Sequence, residues 1–202
     1  MREKNFIALP LLISTPYIRT KLLSPARMTQ LNLQIEDLKL SPSKIFIKNI
    51  KISKNTKIRK SISAFYEDKK TLNSIYKKAE KVIEKEWKLK RLTRQESAQI
   101  ATYRKGDFFN WHVDAPYYEK FFEDQSLDRI MTVILALTDY SEYEGGNVEI
   151  VDVLGNKHVI SDLNYGEAII FPSTFKHRVT SIKKGKRKSM TLWLIGQSLS
   201  IK

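Results

Sequence analysis

Apolar residues recur at every third or fourth position between residues 66 and 90, with lysine and glutamate filling the positions between them. This spacing is typical of an amphipathic helix that lays one face on a core. The apolar positions are Leu72, Ile75, Tyr76, Ala79, Val82, Ile83 and Trp87. The pattern therefore predicts one long packing helix in the first half of the chain.

Nearer the N-terminus, short apolar runs alternate with polar residues and lysines. Residues 31–40 read LNLQIEDLKL, and residues 44–52 read KIFIKNIKI. In the second run isoleucines alternate with lysines, which suits strands with one face in water. We therefore expect strands, together with the helix, in the first 96 residues.

From about residue 97 the pattern becomes that of short strands separated by glycine and asparagine turns. The predicted strands are 97–103, 130–137, 147–153, 157–160, 167–171, 177–182 and 188–195. Many short, closely spaced strands predict a sandwich or barrel such as a double-sheet jelly roll. The expected fold class is mainly β with an N-terminal helix (α+β). We divide the chain into 1–96, a basic region with strands and a helix packing on the core, and 97–202, the jelly-roll core.

Composition excludes several classes of site. The chain has no cysteine, so it has no disulfide, no thiolate zinc site, no iron–sulfur cluster and no cysteine nucleophile. A metal would need His, Asp, Glu or water. There is no Gly-rich phosphate loop and no G-x-S-x-G motif. No apolar run approaches the length of a membrane span, and Pro10 interrupts the short N-terminal one, so we expect a cytoplasmic protein without membrane association.

The formal net charge of +14 is concentrated at one end of the chain. Residues 1–60 hold 13 Lys and Arg against 3 Asp and Glu, whereas residues 101–202 hold 13 of each. Such a basic region favours an acidic partner, for example RNA, ribosomes or an acidic protein. A solvated lysine surface explains the charge equally simply, and we favour it because no aromatic-interleaved recognition motif accompanies the charge.

The segment NWHVDAPYY, residues 110–118, holds the first candidate site residues. If 109–114 is extended, His112 and Asp114 point to the same face and can reach one metal ion. His177 opens a later predicted strand and can be the third ligand, whereas His158 lies beside a turn and reads as a surface histidine. Two histidines and one carboxylate with the remaining positions open form the facial triad of non-haem Fe(II) oxygenases.

An oxygenase of this kind that uses 2-oxoglutarate must also hold the distal carboxylate of that diacid. Arg187 is the candidate, ten residues past His177. A three-residue hairpin loop at 183–185 would set Arg187 opposite Ser181 and on the same face as His177. Its guanidinium can bind a carboxylate through two bonds, and Ser189 on the same face can add a hydroxyl.

The sequence around these residues resembles the motifs of a known family. The segment YRKGDFFNWHVD is similar to the Tyr-x-x-Gly-x-x-(Tyr/Phe)-x-x-His-x-Asp run of 2-oxoglutarate/Fe(II) dioxygenases related to prolyl 4-hydroxylases. The run from LTDYSEYEGGNVEI to KRKSMTLWLIG resembles bacterial PKHD-type hydroxylases in particular. The resemblance covers about 101–196. One position departs from it, because Ala136 stands where some relatives have a tyrosine that reaches the cosubstrate.

The resemblance implies both a site and an activity. It implies a jelly-roll core, iron on His112, Asp114 and His177, 2-oxoglutarate on Arg187, and Tyr103 near the cosubstrate. It also implies hydroxylation with O2, release of succinate and CO2, and ascorbate as a reductant of the iron. The expected substrate is a protein or peptide side chain such as prolyl. Since Asp114 keeps the carboxylate ligand, halogenation is not expected.

Two alternatives stay open at this point. One is oxidative demethylation of nucleic acid by the same iron chemistry, with the basic N-terminal half as the binding surface. Repair-type relatives carry a second arginine six residues after the first, and here that position is Trp193. The other is a non-catalytic jelly-roll binding module. Trp111, Tyr117 and Tyr118 flank the motif and suit either packing or substrate contact. The sequence leaves the oligomeric state open.

Overall fold

Two antiparallel β-sheets contain most of the described strands. The computed structural model describes residues 6–7, 9–47, 50–52, 57–90, 92–94, 97–115, 127–197 and 200–201. The helices are α1 (Leu9–Ser14), α2 (Pro25–Glu36) and α3 (Lys69–Trp87), and a 3₁₀ turn spans Tyr140–Glu142. The strands are β1 (Phe6–Ile7), β2 (Ile18–Lys21), β3 (Ser41–Pro42), β4 (Ile45–Ile47), β5 (Ile50–Ile52), β6 (Arg59–Lys60), β7 (Ile62–Tyr66), β8 (Thr93–Arg94), β9 (Ala98–Arg104), β10 (Phe108–His112), β11 (Leu127–Ala136), β12 (Tyr143–Gly145), β13 (Val148–Val151), β14 (Lys157–Ile160), β15 (Glu167–Pro172), β16 (His177–Val179), β17 (Ile182–Gln197) and β18 (Ser200–Ile201).

The larger sheet, called the major sheet below, has the order β2-β15-β11-β17-β9-β7-β3, with β8 and β12 also paired to β17. The smaller one, called the minor sheet, has the order β14-β13-β16-β10-β6. Neighbouring strands in both are antiparallel. The predicted class, mainly β with a helix from the N-terminal half and a jelly-roll core, is confirmed.

Each sheet has one face toward the other, and the major sheet carries helices on its second face. We call the face toward the minor sheet the inner face. On β17, side chains alternate between the inner face, which includes Arg187, and the outer face, which includes Met190 and Leu192. The outer residues join a large core with the buried residues of α2 and α3. A smaller apolar cluster lies between the sheets around Ala101, Tyr103, Val179 and Ile182.

Helix α3 is the amphipathic helix that the three- and four-residue spacing predicted. Its first turn is capped by Asp68, whose side chain accepts a hydrogen bond from the Thr71 backbone N–H at 2.8 Å. Its last turn ends at Lys88, which adopts a left-handed conformation. The indole N–H of Trp87 donates to the Thr15 carbonyl at 3.0 Å, which ties the buried end of the helix to the N-terminal segment.

Two short helices near the N-terminus were not predicted. The run at residues 31–40 begins inside α2, which starts at Pro25, a residue suited to the first helical turn. The alternating pattern would bury Leu31, Leu33 and Ile35 together. The helix buries Leu31 and Ile35 and leaves Leu33 66% exposed, because residues four apart share a helix face and residues two apart do not. The second run was predicted correctly, since β4 and β5 pair as an antiparallel hairpin.

The predicted hairpin at residues 183–185 is wrong. β17 runs unbroken through these residues and pairs with β12, with Tyr143 opposite Gly185. The chain instead leaves β16 in the minor sheet and enters β17 in the major sheet. The predicted pairing of Arg187 with Ser181 is therefore absent, and Arg187 lies opposite Tyr103 of β9.

Strands from both halves of the sequence share the sheets. β2, β3 and β7 lie in the major sheet beside strands that follow residue 97, and β6 lies at an edge of the minor sheet. The division at residue 97 stays a prediction. Within the described residues, no helix is long and apolar enough to span a bilayer.

Replacing Ile83 by alanine should test how strongly α3 is held. The Ile83 side chain is fully buried on the major sheet's outer core, so we expect the free energy of unfolding to fall by about 2–5 kcal/mol. Urea titration would measure this. Replacing the exposed neighbour Glu84 by alanine is the matched control and should change stability little. Equal effects of the two changes would contradict the assigned packing.

Candidate active site

Two histidines lie opposite each other on neighbouring strands of the minor sheet. His112 at the end of β10 lies opposite His177 at the start of β16, and their ring centres are 4.1 Å apart. A register shift in β10 between Phe109 and His112 places both of those side chains on the inner face. The pairing of the strands thus brings together two residues that are 65 positions apart in the sequence.

Asp114 joins the two histidines through a turn and not through an extended strand. β10 ends at His112, so the predicted extension to residue 114 is wrong. The backbone N–H groups of Asp114 and Ala115 both donate to the Ser173 carbonyl, at 2.9 and 3.1 Å. These bonds turn the chain so that the Asp114 carboxylate comes between the two imidazoles.

The geometry of the three side chains suits a metal ion. His112 Nε2 lies 3.7 Å from Asp114 Oδ1, and His177 Nε2 lies 3.7 Å from Asp114 Oδ2. One ligand atom from each residue lies within 4.8 Å of those from the other two. The Nδ1–H of His112 donates to the Asn110 carbonyl and that of His177 to the Phe175 carbonyl. These bonds leave each Nε2 to coordinate a metal, a usual arrangement for ligating histidines.

The Asp114 carboxylate is held by residues of the major sheet. Its Oδ2 accepts hydrogen bonds from Thr132 Oγ1 at 2.8 Å and from Trp193 Nε1 at 3.0 Å. The Thr132 hydroxyl is in turn 2.9 Å from Ser173 Oγ. The guanidinium of Arg129 stacks over the Trp193 ring at 3.9 Å. The major sheet therefore fixes the orientation of the carboxylate.

The surroundings of His112 and Asp114 favour the protonation states that these two residues need to bind a metal. Burial, followed by the nearby His177, lowers the pKa of His112. Burial alone would raise the pKa of Asp114, but the imidazoles of His177 and His112 outweigh it, and the pKa of Asp114 is lowered. Neutral imidazoles and an ionised carboxylate are the forms that ligate divalent metals.

Arg187 and Tyr103 occupy the inner face of the major sheet. Arg187 is 3% exposed, and its guanidinium carbon lies 5.5 Å from the centre of the Tyr103 ring. Its Nη1 donates to Ser189 Oγ at 3.0 Å. No carboxylate of the described residues pairs with this buried cation. Such an arrangement suits an anionic ligand, because a buried charge is costly unless it is paired.

Sequence reasoning missed the residues that orient Asp114. From the sequence, Trp193 stands out only as the position where repair-type relatives have a second arginine. In the structure it is 5% exposed, and its indole N–H donates to the Asp114 carboxylate. The available signal was parity, because Trp193 shares a strand face with Arg187 and Ser189. Thr132 carried no signal of its own, since its role depends on lying opposite Trp193.

The other candidates have separate positions. His158 is not a plain surface histidine, because it is partly buried and its Nε2 lies 2.8 Å from Asp152 Oδ2. Trp111 lies near Arg178, whose guanidinium carbon is 4.8 Å from its ring centre. Ala136 is buried opposite Ser189. Tyr117 and Tyr118 lie outside the described residues.

Comparison with protein families gives one match. Residues 98–195 match the model of the 2OG-Fe(II) oxygenase superfamily, a name that refers to 2-oxoglutarate and Fe(II). A PKHD-type hydroxylase of Teredinibacter turnerae is 34% identical over 92 residues, which is 46% of this chain and 39% of the relative. One of Caulobacter vibrioides is 33% identical over 98 residues, which is 48% of this chain and 42% of the relative. The matched segment thus spans about two fifths of these curated relatives.

Solved structures show a similar fold over nearly the whole chain. A prolyl-4-hydroxylase of Pseudomonas putida superposes with a TM-score of 0.65 at 17% identity, covering 93% of this chain and 96% of that one. A prolyl hydroxylase of Trichoplax adhaerens, solved with a hypoxia-inducible-factor peptide fragment, gives a TM-score of 0.67 at 18% identity, with coverages of 92% and 86%. At these identities the likeness concerns the fold.

Replacing Trp193 by phenylalanine should weaken metal binding. The change removes the N–H that donates to Asp114 but keeps an aromatic ring beneath Arg129. Since such outer contacts orient ligands, we expect the affinity for Co(II) or Zn(II) to fall about 10- to 100-fold in a direct titration. Trp87→Phe is the matched control, because it removes an indole hydrogen bond to Thr15 and should leave the metal affinity unchanged. Equal affinities in both variants would contradict the orienting role of Trp193.

Proposed function

We propose that this protein is a hydroxylase dependent on Fe(II) and 2-oxoglutarate, because residues 98–195 match the model of the 2OG-Fe(II) oxygenase superfamily. The observation that carries the proposal is the convergence of His112, Asp114 and His177 on one point between the sheets. Three protein ligands leave coordination positions for a cosubstrate and O2, which a fully ligated structural metal would not.

In this proposal His112 Nε2, one Asp114 oxygen and His177 Nε2 hold the iron. The donor set fits Fe(II), since two imidazoles and one carboxylate are ligands that this metal accepts. Bound Fe(II), with 2-oxoglutarate and O2, would supply the oxidant that converts a substrate C–H to C–OH while 2-oxoglutarate leaves as succinate and CO2. The protein's part is to keep the three ligands oriented through Asn110, Phe175, Thr132 and Trp193.

Arg187 would bind the distal carboxylate of 2-oxoglutarate. Its burial and its lack of a described carboxylate partner support this role. The guanidinium can pair with the carboxylate through two hydrogen bonds, and the Ser189 hydroxyl beside it can contribute another. Tyr103 would form the adjoining wall, because its ring lies next to the Arg187 guanidinium.

The proposed substrate is a protein or peptide side chain, with prolyl as the first residue to test. The name of the curated relatives, PKHD-type hydroxylase, supports hydroxylation. Trp193 in place of a second arginine argues against nucleic-acid demethylation, because its ring is buried and its N–H is committed to Asp114. Binding of nucleic acid by the basic N-terminal half, the use of ascorbate and the cytoplasmic location stay predictions.

An anaerobic titration tests the proposal. Adding Fe(II) and 2-oxoglutarate to the wild-type protein should give a weak visible charge-transfer band, which requires both on one site. His177→Ala should give no band and no succinate in air, because one of three ligands is lost. His158→Ala is the control: His158 lies two strands from His177 and pairs with Asp152, so the band and turnover should persist. A wild-type protein without the band would support a binding module, and full succinate production by His177→Ala would refute the assigned ligands.

Gly146→Ala should weaken 2-oxoglutarate binding while sparing the metal. Gly146 has a φ of +64°, and an added Cβ would lie 2.3 Å from Ile182 Cδ1 and 3.0 Å from Arg187 Cδ. The methyl group would therefore displace the Arg187 side chain from its position. Calorimetry with Zn(II)-loaded protein should show a weaker 2-oxoglutarate affinity and an unchanged Zn(II) affinity.

Gly155→Ala is the matched control for that experiment. Gly155 has a φ of +84°, so alanine is strained there too, but an added Cβ would meet nothing within 4 Å. Both variants should lose about 1–2 kcal/mol of stability from the left-handed backbone. Only Gly146→Ala should change the affinity for 2-oxoglutarate. Equal affinities in the two variants would show that a change at Gly146 does not act on cosubstrate binding through Arg187.

A further inference from the structure

A second buried arginine, Arg59, lies between the two sheets near the proposed iron ligands. It belongs to β6, the edge strand of the minor sheet, and stands directly opposite Phe109 of β10. Its guanidinium carbon lies 4.4 Å from the centre of the Phe109 ring, and that ring stacks on the His112 imidazole at 3.5 Å. The guanidinium carbon therefore lies no farther from the centre of the His112 ring than the sum of these two distances.

The charge of Arg59 is not neutralised by the described part of the chain. Arg59 is 7% exposed, and the partners of its guanidinium are neutral. Nε donates to Ser61 Oγ at 2.9 Å and Nη2 donates to Gln99 Oε1 at 2.9 Å. Nη1 forms no hydrogen bond with a described residue. Neutral hydrogen bonds hold the group in place and leave its charge without a counter-ion.

Arg59 therefore resembles Arg187 in its electrostatics and differs from it in its position. Both cations lie between the sheets without a described carboxylate partner. Arg187 belongs to a central strand of the major sheet, whereas Arg59 belongs to an edge strand of the minor sheet. One diacid cosubstrate bound by iron and Arg187 would account for Arg187 alone and would leave Arg59 without an anion among the described residues.

The surroundings of Arg59 fit an acidic peptide segment. Gln99, its hydrogen-bond partner, lies opposite Phe65 on β7, and Phe65 is 51% exposed. An exposed aromatic ring and an amide beside a cation offer apolar, polar and charged contacts in one place. The N-terminal region that supplies Arg59 is also strongly basic, with 13 Lys and Arg against 3 Asp and Glu in residues 1–60. Such a surface attracts an acidic partner before it docks.

We propose that Arg59 pairs with an acidic side chain of the peptide substrate, close to the residue that is oxidised. The inference rests on the proposed hydroxylase function and adds the substrate class to it. The planar guanidinium, fixed by Ser61 and Gln99, presents Nη1 to a carboxylate. The wall formed by Phe109 and His112 places that contact beside the iron ligands.

Paired peptides test the proposal directly. Zn(II)-loaded protein with bound 2-oxoglutarate is titrated with short peptides that carry a central proline between glutamates, and with the same peptides carrying glutamine instead. We expect the wild-type protein to bind the glutamate peptides about tenfold or more tightly, the equivalent of about 1.4 kcal/mol. Arg59→Gln should lose this preference, and Arg59→Lys should keep part of it, because the charge remains while the planar fork is lost.

Arg27→Gln is the matched control, because it removes the same charge from an exposed position on α2. It should keep the preference for glutamate. Equal binding of the two peptide sets by the wild-type protein, or an undiminished preference in Arg59→Gln, would overturn the proposal. If Arg59→Gln fails to fold, the wild-type and Arg59→Lys arms decide the question.

The binding of 2-oxoglutarate, measured first on each protein, separates this inference from the proposed function. A wild-type protein that binds no cosubstrate refutes the hydroxylase. A wild-type protein that binds it without preferring acidic peptides refutes the role of Arg59 alone. Weakened 2-oxoglutarate binding in Arg59→Gln would assign Arg59 to the cosubstrate and would also overturn the proposal.

Discussion

The antiparallel pairing of His112 with His177 is the constraint on which the site depends. A slip of this pairing by one residue would turn either imidazole to the other face of the minor sheet. The register shift in β10 brings Phe109 and His112 to the same face, and the Ser173 carbonyl turns the chain that follows toward the histidines. Backbone hydrogen bonds, and not the side chains themselves, therefore set the separation of the ligands.

Electrostatics explains why the space between the sheets differs from an ordinary core. The outer face of the major sheet packs on the helices through apolar residues, whereas the inner face holds Arg187 together with Ser189 and Trp193. Burying an ion costs several kcal/mol even after the protein relaxes. A chain that keeps Arg187 and Arg59 inside gives up stability that two apolar residues would have contributed. The proposed binding of anionic ligands would account for this loss.

The spacing of apolar residues along the chain predicted the helix and strands that depend on residues close together in the sequence. The helix from residue 69 to 87 and the succession of strands after residue 97 were available from the sequence. Arg187 lies on the inner face, but the hairpin from which that face was predicted is absent. The path from β16 to β17 was predicted wrongly. A glycine between lysines fits a hairpin loop, and it fits equally well a strand that a neighbouring backbone approaches closely. Arg59 gave no signal, since its surroundings come from strands far away in sequence, and the only signal for Trp193 was the strand face that it shares with Arg187.

Strand β17 links the site to the rest of the protein. Its inner residues run from Arg187 to Trp193, and its outer residues Met190 and Leu192 are buried under the helices. Any shift of this strand against β11 would move the Arg187 side chain and the Trp193 donor together, since both are fixed to one backbone. The helices therefore contribute to the site, because their packing on the outer face fixes the position of β17.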